Sequence, residues 1–146
     1  MKITSLTFLF AFCLLLTGCA SNQQFVRFPD QTKTIEDPSK GRIYVLRPTV
    51  VGSAAFSMEV DDAGKIVGNI GPGGFLCWER DPGDTVISSR SENTSVINLN
   101  VEAGKANYIF EHMRLGWATP RTELEIVSQD EGKKVLKECH PPTVIK

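Results

Sequence analysis

The chain has 146 residues, 41% of them hydrophobic and 23% charged, with 16 Lys+Arg against 17 Asp+Glu. That length fits one domain, and the near-neutral balance argues against a nucleic-acid binder, which would carry a basic excess or stripe. The composition is too apolar for a disordered chain, and 12 Gly with 8 Pro favour a turn-rich β fold over a helix bundle.

Met1-Lys2 opens the chain with a positive charge, and Ile3 to Leu16 follows without one. About 14 residues is too short to span a ~30 Å hydrocarbon core as a helix, which needs roughly 20. The run fits the apolar stretch of an export signal; a buried N-terminal helix is the alternative. It ends in Leu16-Thr17-Gly18-Cys19. This resembles the lipobox of bacterial lipoproteins, in which cleavage falls just before the cysteine. The resemblance implies a signal peptide over 1–18, cleavage between Gly18 and Cys19, diacylglycerol on the Cys19 sulfur and a third acyl chain, such as palmitate, on the new amino terminus. One acyl chain binds a bilayer only reversibly, at about 0.8 kcal/mol per buried CH₂, whereas two or three hold firmly. Membrane lipid is thus the first expected partner. Ala20 follows the cysteine where an Asp would imply retention in the inner membrane. By that resemblance the protein is expected at the outer membrane, facing the periplasm, or at the cell membrane of a Gram-positive source.

Residues 19–41 read as the lipidated cysteine and a flexible tether. Ser21-Asn22-Gln23-Gln24 is polar, and Pro29 and Pro38 discourage regular structure. Twenty such residues reach roughly 25 Å. Phe25, Val26 and Phe28 break the pattern. They fit contact with the lipid interface or docking on the domain, and otherwise a partner-binding patch.

Residues 42–146 read as the domain. Short β-prone runs recur between turn residues. Arg42 to Arg47 stops at Pro48; Ala55 to Asp61 alternates, with Phe56, Met58 and Val60 on one face; Asp62-Ala63-Gly64 turns into Lys65 to Ile70. Phe75 to Arg80, Thr85 to Arg90, Thr94 to Val101, Asn107 to His112 and Glu123 to Val127 complete about eight strands. No helical crossover precedes residue 128, so an antiparallel β-sandwich or barrel is expected. Ser128-Gln-Asp-Glu131 fits a capping box that opens a short C-terminal helix. Val135 and Leu136 would face the sandwich, and Gly132 costs that helix about 1 kcal/mol relative to Ala.

Arg42-Ile43-Tyr44-Val45-Leu46-Arg47-Pro48, Val67-Gly68, Pro82-Gly83, Glu102-Ala103-Gly104-Lys105 with Tyr108, and Glu123-Leu124-Glu125-Ile126-Val127 occur in an order that resembles a family of small bacterial lipoproteins. That family is known as the domain of unknown function 2846. The resemblance implies a transthyretin-like or carboxypeptidase-regulatory-like β-sandwich, and brings no enzymatic activity and no ligand. Asp84 and Thr85 stand where a His often follows the Pro-Gly, so no role of that His carries over.

Cys13 would leave with the leader and Cys19 would be acylated. Cys77 and Cys139 remain, in an oxidising compartment where disulfides persist. Their pairing would close a loop between positions 77 and 139 and contribute roughly 4 kcal/mol. Two separate buried thiols are the alternative, and without a CxxC neighbour a redox role is not expected. Cys77, His112, Cys139 and His140 make a poor zinc set, because Cys139 and His140 are adjacent. No metal and no cofactor are expected. No GxSxG or HExxH occurs, so no catalytic residue is assigned. Ser88, Ser89 and Ser91 read as solvent-facing strand serines, and Asp61-Asp62 and Asp81/Asp84 as solvated turns. If Cys77 points inward, Trp78 points outward. Trp78, with Trp117 in the loop Leu115 to Pro120, then forms the candidate binding surface; covering a sheet edge is the alternative for each.

The expectation is a lipid-anchored, non-enzymatic module that binds an envelope protein, peptidoglycan or another surface polymer, and no nucleic acid. The rival is an envelope enzyme or inhibitor acting through Asp81, Asp84, His112 and Arg114, which would then have to cluster around a pocket.

Overall fold

A computed structural model describes residues 21–50 and 56–146. The expected signal peptide, the Gly18–Cys19 cleavage point and the acylated Cys19 lie outside the described residues. Among the described residues no helix is long and apolar enough to cross a membrane.

Among the described residues, ten strands form two sheets, with one short helix near the C-terminus. The strands are β1 (Gln23–Gln24), β2 (Gly41–Leu46), β3 (Met58–Asp62), β4 (Lys65–Ile70), β5 (Phe75–Arg80), β6 (Gly83–Arg90), β7 (Thr94–Val101), β8 (Ala106–Arg114), β9 (Arg121–Val127) and β10 (Thr143–Val144). The helix, α1, spans Gln129–Leu136. One sheet has the order β10-β1-β4-β3-β6-β7 and the other β5-β2-β8-β9. This is the expected all-β architecture. β4, β5 and β7 fall where alternation and turn residues put them. The pairing is not all antiparallel: β2 runs parallel to β8, and β1 parallel to β10. The long return from β2 to β8 places β5 on the far side of β2 and then passes through β6 and β7 of the other sheet, which serve as the crossover that a helix would otherwise provide.

β2 and most of β5 and β8 in the four-stranded sheet are buried on both faces, whereas the edge strand β9 exposes Arg121, Glu123 and Glu125 on its outer face. Ile43 and Val45 of β2 point into the sandwich with Leu76, Trp78, Ile109 and Leu124, against Met58, Val60, Val67, Ile70 and Ile87 of the other sheet. Tyr44 and Leu46 point the other way, with Phe75, Cys77, Tyr108 and Phe110. Phe28 and the helix residues Val135 and Leu136 cover that outer face. A strand apolar on both sides reads as a continuous hydrophobic run, as Ile43-Tyr44-Val45-Leu46 does.

The described part of the expected tether, residues 21–41, is not a free spacer. It is the second part of this outer cover. Asn22 and Gln24 are buried. The Gln24 side chain accepts from the Cys77 N–H at 3.0 Å and donates to the Cys77 carbonyl at 2.7 Å. It thereby satisfies both backbone groups at one point of the β5 edge, as a neighbouring strand would. Asn22 donates to the Phe75 carbonyl at 3.1 Å and to the His140 carbonyl at 3.3 Å. Backbone pairing of β1 with β4 needs Gly68, where a Cβ would lie 2.1 Å from the Gln23 carbonyl oxygen. Polar composition suggested a spacer, but here the amides act as sheet partners.

Ser128 caps α1 as expected, its hydroxyl accepting from the Glu131 N–H at 3.3 Å. Gly132 has a packing reason. A Cβ there would sit 2.2 Å from Cγ of Tyr108, whose ring stacks on Tyr44 at 5.0 Å. Helix propensity alone would make Gly132→Ala stabilising by about 1 kcal/mol. Overpacking costs about 1–3 kcal/mol and wins. Urea unfolding should therefore show Gly132→Ala less stable than wild type, and a more stable variant would contradict the close helix–sheet contact.

Candidate functional site

The strand alternation that orients the candidate residues runs opposite to expectation. Cys77 faces the outer cover, and Trp78 is 5% exposed inside the sandwich. Trp78 therefore leaves the proposed binding surface. Its indole N–H donates to Asp62 Oδ2 at 2.8 Å. The misassignment follows from assuming one buried face, whereas β5 has two.

Cys77 and Cys139 are separate thiols rather than the expected disulfide. Both touch the outer cluster, Cys77 from the sheet and Cys139 from beyond the helix. Gln31 Nε2 lies 3.7 Å from Cys77 Sγ. Burial pushes the Cys77 thiol up to about 12 and the Cys139 thiol up to about 11.

Two arginines bracket β2, one on each face, and both are buried. Arg42 points to the outer cover. Its guanidinium bonds Glu79 Oε1 from Nε at 2.9 Å and from Nη2 at 2.7 Å, and also reaches the carbonyls of Lys33 and Asp30 and the Tyr44 hydroxyl. Glu79 accepts in turn from the N–H groups of Glu36 and Asp37. This pair fastens residues 30–37 to the sheet. Burial alone would lower the Arg42 pKa, but the bonds to Tyr44 and Glu79 hold it above its ordinary value. Arg47 points inward. Its Nε is 3.4 Å from Glu111 Oε2, and Nη1 donates to the carbonyls of Phe56 and Ile70. Thr122 Oγ1 lies 2.6 Å from Glu111 Oε1 and 2.8 Å from Ser89 Oγ. Desolvation raises the Glu111 carboxyl and lowers the Arg47 guanidinium, each opposed by the other's charge.

At the other end of the interior, Asp62 accepts from Trp78, Arg80 and Thr85. Asp61 accepts from the Gly64 N–H at 3.0 Å, from the Ser88 hydroxyl and from Arg90 at 3.1 Å. Asp61, Ser88 and Ser89 are thus buried structural polars, not the solvated turn and strand residues expected. The rival set does not converge. Asp81 pairs with Lys40, Asp84 with Asn100, His112 with Glu125 and Arg114 with Glu123. Cys77, His112, Cys139 and His140 do not assemble either: His140 Nε2 lies against the Pro72 carbonyl and His112 against Glu125. Among the described residues no three His, Cys, Asp or Glu side chains are placed to share a metal ion.

Two surface features remain. The first is the loop between β8 and β9, where Leu115 is 95% and Trp117 97% exposed. Its backbone is nonetheless held. Glu92, in the β6–β7 turn, accepts from the N–H groups of Trp117, Ala118 and Thr119 at 3.2, 3.0 and 3.2 Å. Those bonds keep the Glu92 carboxyl below its ordinary range. The second is a groove of about 480 Å³ lined by Phe25, Val26, Arg27, Phe28, Val144, Ile145 and Lys146. The groove lies along β1 and β10, at one edge of the six-stranded sheet. The Trp117 loop is fastened to the β6–β7 turn at the opposite edge.

No family model matches the chain. A Haemophilus influenzae protein, described only as an uncharacterized protein, is 30% identical over 132 residues, which is 87% of this chain and 77% of that one. The chain belongs to the same family. The match covers most of both chains, so the relation is not confined to one motif.

The roles of Arg42, Glu79, Arg47 and Glu111 were missed by the sequence reading. The available signal was a charge at each end of an unbroken apolar strand. Removing one member of a buried pair costs about 3–5 kcal/mol. Arg42→Met should lose stability on that scale in urea, and Arg42→Met/Glu79→Met should regain part of it; additive losses would contradict the pairing. Alkylation without reductant should modify neither cysteine in the folded protein at pH 8 and both after unfolding, read as two adducts by intact mass. An unmodified unfolded chain would restore the disulfide.

Proposed function

We propose that this protein is a lipid-anchored envelope lipoprotein without enzymatic activity, presenting the Leu115–Trp117 loop to a partner in the periplasm. The partner is an envelope protein, peptidoglycan or another surface polymer. One observation supports the presentation most: two large apolar side chains stand in solvent on a backbone fixed at three N–H groups by Glu92. An aromatic held this way offers contact area with little ordering left to do on binding. The anchor reading is supported by the apolar run from Ile3 to Leu16 and the Leu16-Thr17-Gly18-Cys19 box. The order of motifs resembling domain of unknown function 2846 lipoproteins supports it as well.

Against an enzyme, the Thr122–Glu111 contact is buried between the sheets, and Ser88 and Asp61 are both buried and bonded to each other.

Cells fed a fatty-acid analogue should label the wild-type protein and not Cys19→Ser, and an unlabelled wild type would remove the anchor. A photocrosslinker at position 117 should trap one defined envelope protein or glycan strand in intact cells. Leu115→Ala/Trp117→Ala should lose binding to that same purified partner. Unchanged binding would remove the loop from the function.

A further inference from the structure

We infer that the groove formed by Phe25, Val26, Phe28, Val144 and Ile145 is a second, non-covalent contact with the bilayer that holds the Cys19 anchor, and that it sets the orientation of the domain. The inference rests on the anchor reading above and adds a surface to it.

The groove is apolar and open. Phe25, Val144 and Ile145 are each 42% exposed. These side chains come from the two ends of the described chain, drawn together by backbone bonds from the Thr143 N–H to the Asn22 carbonyl at 2.9 Å and from the Ile145 N–H to the Gln24 carbonyl at 2.8 Å. Arg27 and Lys146 stand at its rim. The long stem of Lys146 can lie along apolar surface while its charge reaches phosphate groups. Arg27 bonds Glu36, which fixes its stem beside the groove.

Chain length decides what lies opposite. Asn22 is buried against the sheet, three residues after Cys19. Three extended residues span at most ~10 Å. A sulfur whose acyl chains sit in a bilayer therefore keeps Phe25 within reach of the headgroup layer at all times. An apolar face typically sinks about 5–10 Å into that boundary. Tethering makes the contact intramolecular, so a patch too weak to bind lipid alone is occupied continuously. Acyl chains supply the affinity, and the groove selects which side of the domain faces lipid. With that side down, the Trp117 loop at the opposite sheet edge points into the periplasm.

The test uses the acylated mature protein in vesicles of phosphatidylethanolamine and phosphatidylglycerol carrying brominated acyl chains. The Cys19 acyl mass is checked in the same sample. In a Trp117→Phe background the remaining Trp78 is buried in the sandwich and sets the baseline; Phe25→Trp should add emission to that baseline, and the bromines should remove most of the added part. In a second protein with Trp117 intact and Phe25 unchanged, the emission in excess of the Trp117→Phe protein should be quenched by aqueous acrylamide and not by the lipid. Phe25→Asp/Ile145→Asp should lose the vesicle-dependent protection of the groove amides from hydrogen exchange, judged against the same variant off vesicles, while leaving the acyl mass unchanged. Unquenched Phe25→Trp on a correctly acylated protein overturns the inference and leaves the anchor standing. Emission that changes with protein concentration instead makes the groove an interface between two copies, which also overturns it. A missing acyl mass overturns the anchor on which it rests.

Discussion

The sheet β5-β2-β8-β9 has apolar side chains on both faces, and a sheet of that kind cannot stand at the edge of a two-layer sandwich. Tyr44, Leu46, Phe75, Tyr108 and Phe110 need a cover as much as Ile43 and Val45 do. The chain supplies it from its two ends, with residues 22–40 on one side and α1 on the other. Charge holds the first part in place. The Arg42–Glu79 pair is buried at the rim of the outer face, and it gathers backbone groups of Asp30, Lys33, Glu36 and Asp37 around it. A buried ion pair is a costly device unless its remaining donors and acceptors are filled. Here the docked segment fills them, so the pair and the cover depend on one another.

That mutual dependence shapes the functional reading. A domain at the end of a flexible tether would sample all orientations above a membrane. A domain clamped from Asn22 onward cannot drift far from Cys19. In the proposed arrangement the groove along β1 and β10 would face lipid and the fixed loop at Trp117 would face away from it. The interior carries structural polars at both ends, Arg47–Glu111 at one and Asp62 with Trp78 and Arg80 at the other. These tie side chains of the two sheets together, with Ser89 meeting Thr122 and Asp62 meeting Trp78.

Strand positions were legible because alternation and turn residues are local signals. Lys65–Ile70, Phe75–Arg80 and Thr94–Val101 follow directly from them, and the Ser128 cap announces α1. What the sequence concealed was non-local. The parallel pairing of β2 with β8 joins residues more than sixty positions apart. The inversion of Cys77 and Trp78 arose because period two gives alternation but not its sign when both faces are apolar. Residues 21–41 looked like a linker since Asn22, Gln24 and Gln31 are polar, and composition does not reveal that an amide is completing a sheet edge. Gly132 pointed the other way: its low helix propensity was visible, while its reason, the Tyr108 ring, was not.

Native-state hydrogen exchange at the Phe25 and Cys77 amides tests the docked cover most directly. Phe25 N–H donates to the Val67 carbonyl at 2.8 Å, and Cys77 N–H to the Gln24 side chain. Both should exchange as slowly as the amide of Val45 in the middle of β2. Exchange of Phe25 and Cys77 at the rate of an open chain, with Val45 still protected, would mean that the segment behind Cys19 swings free.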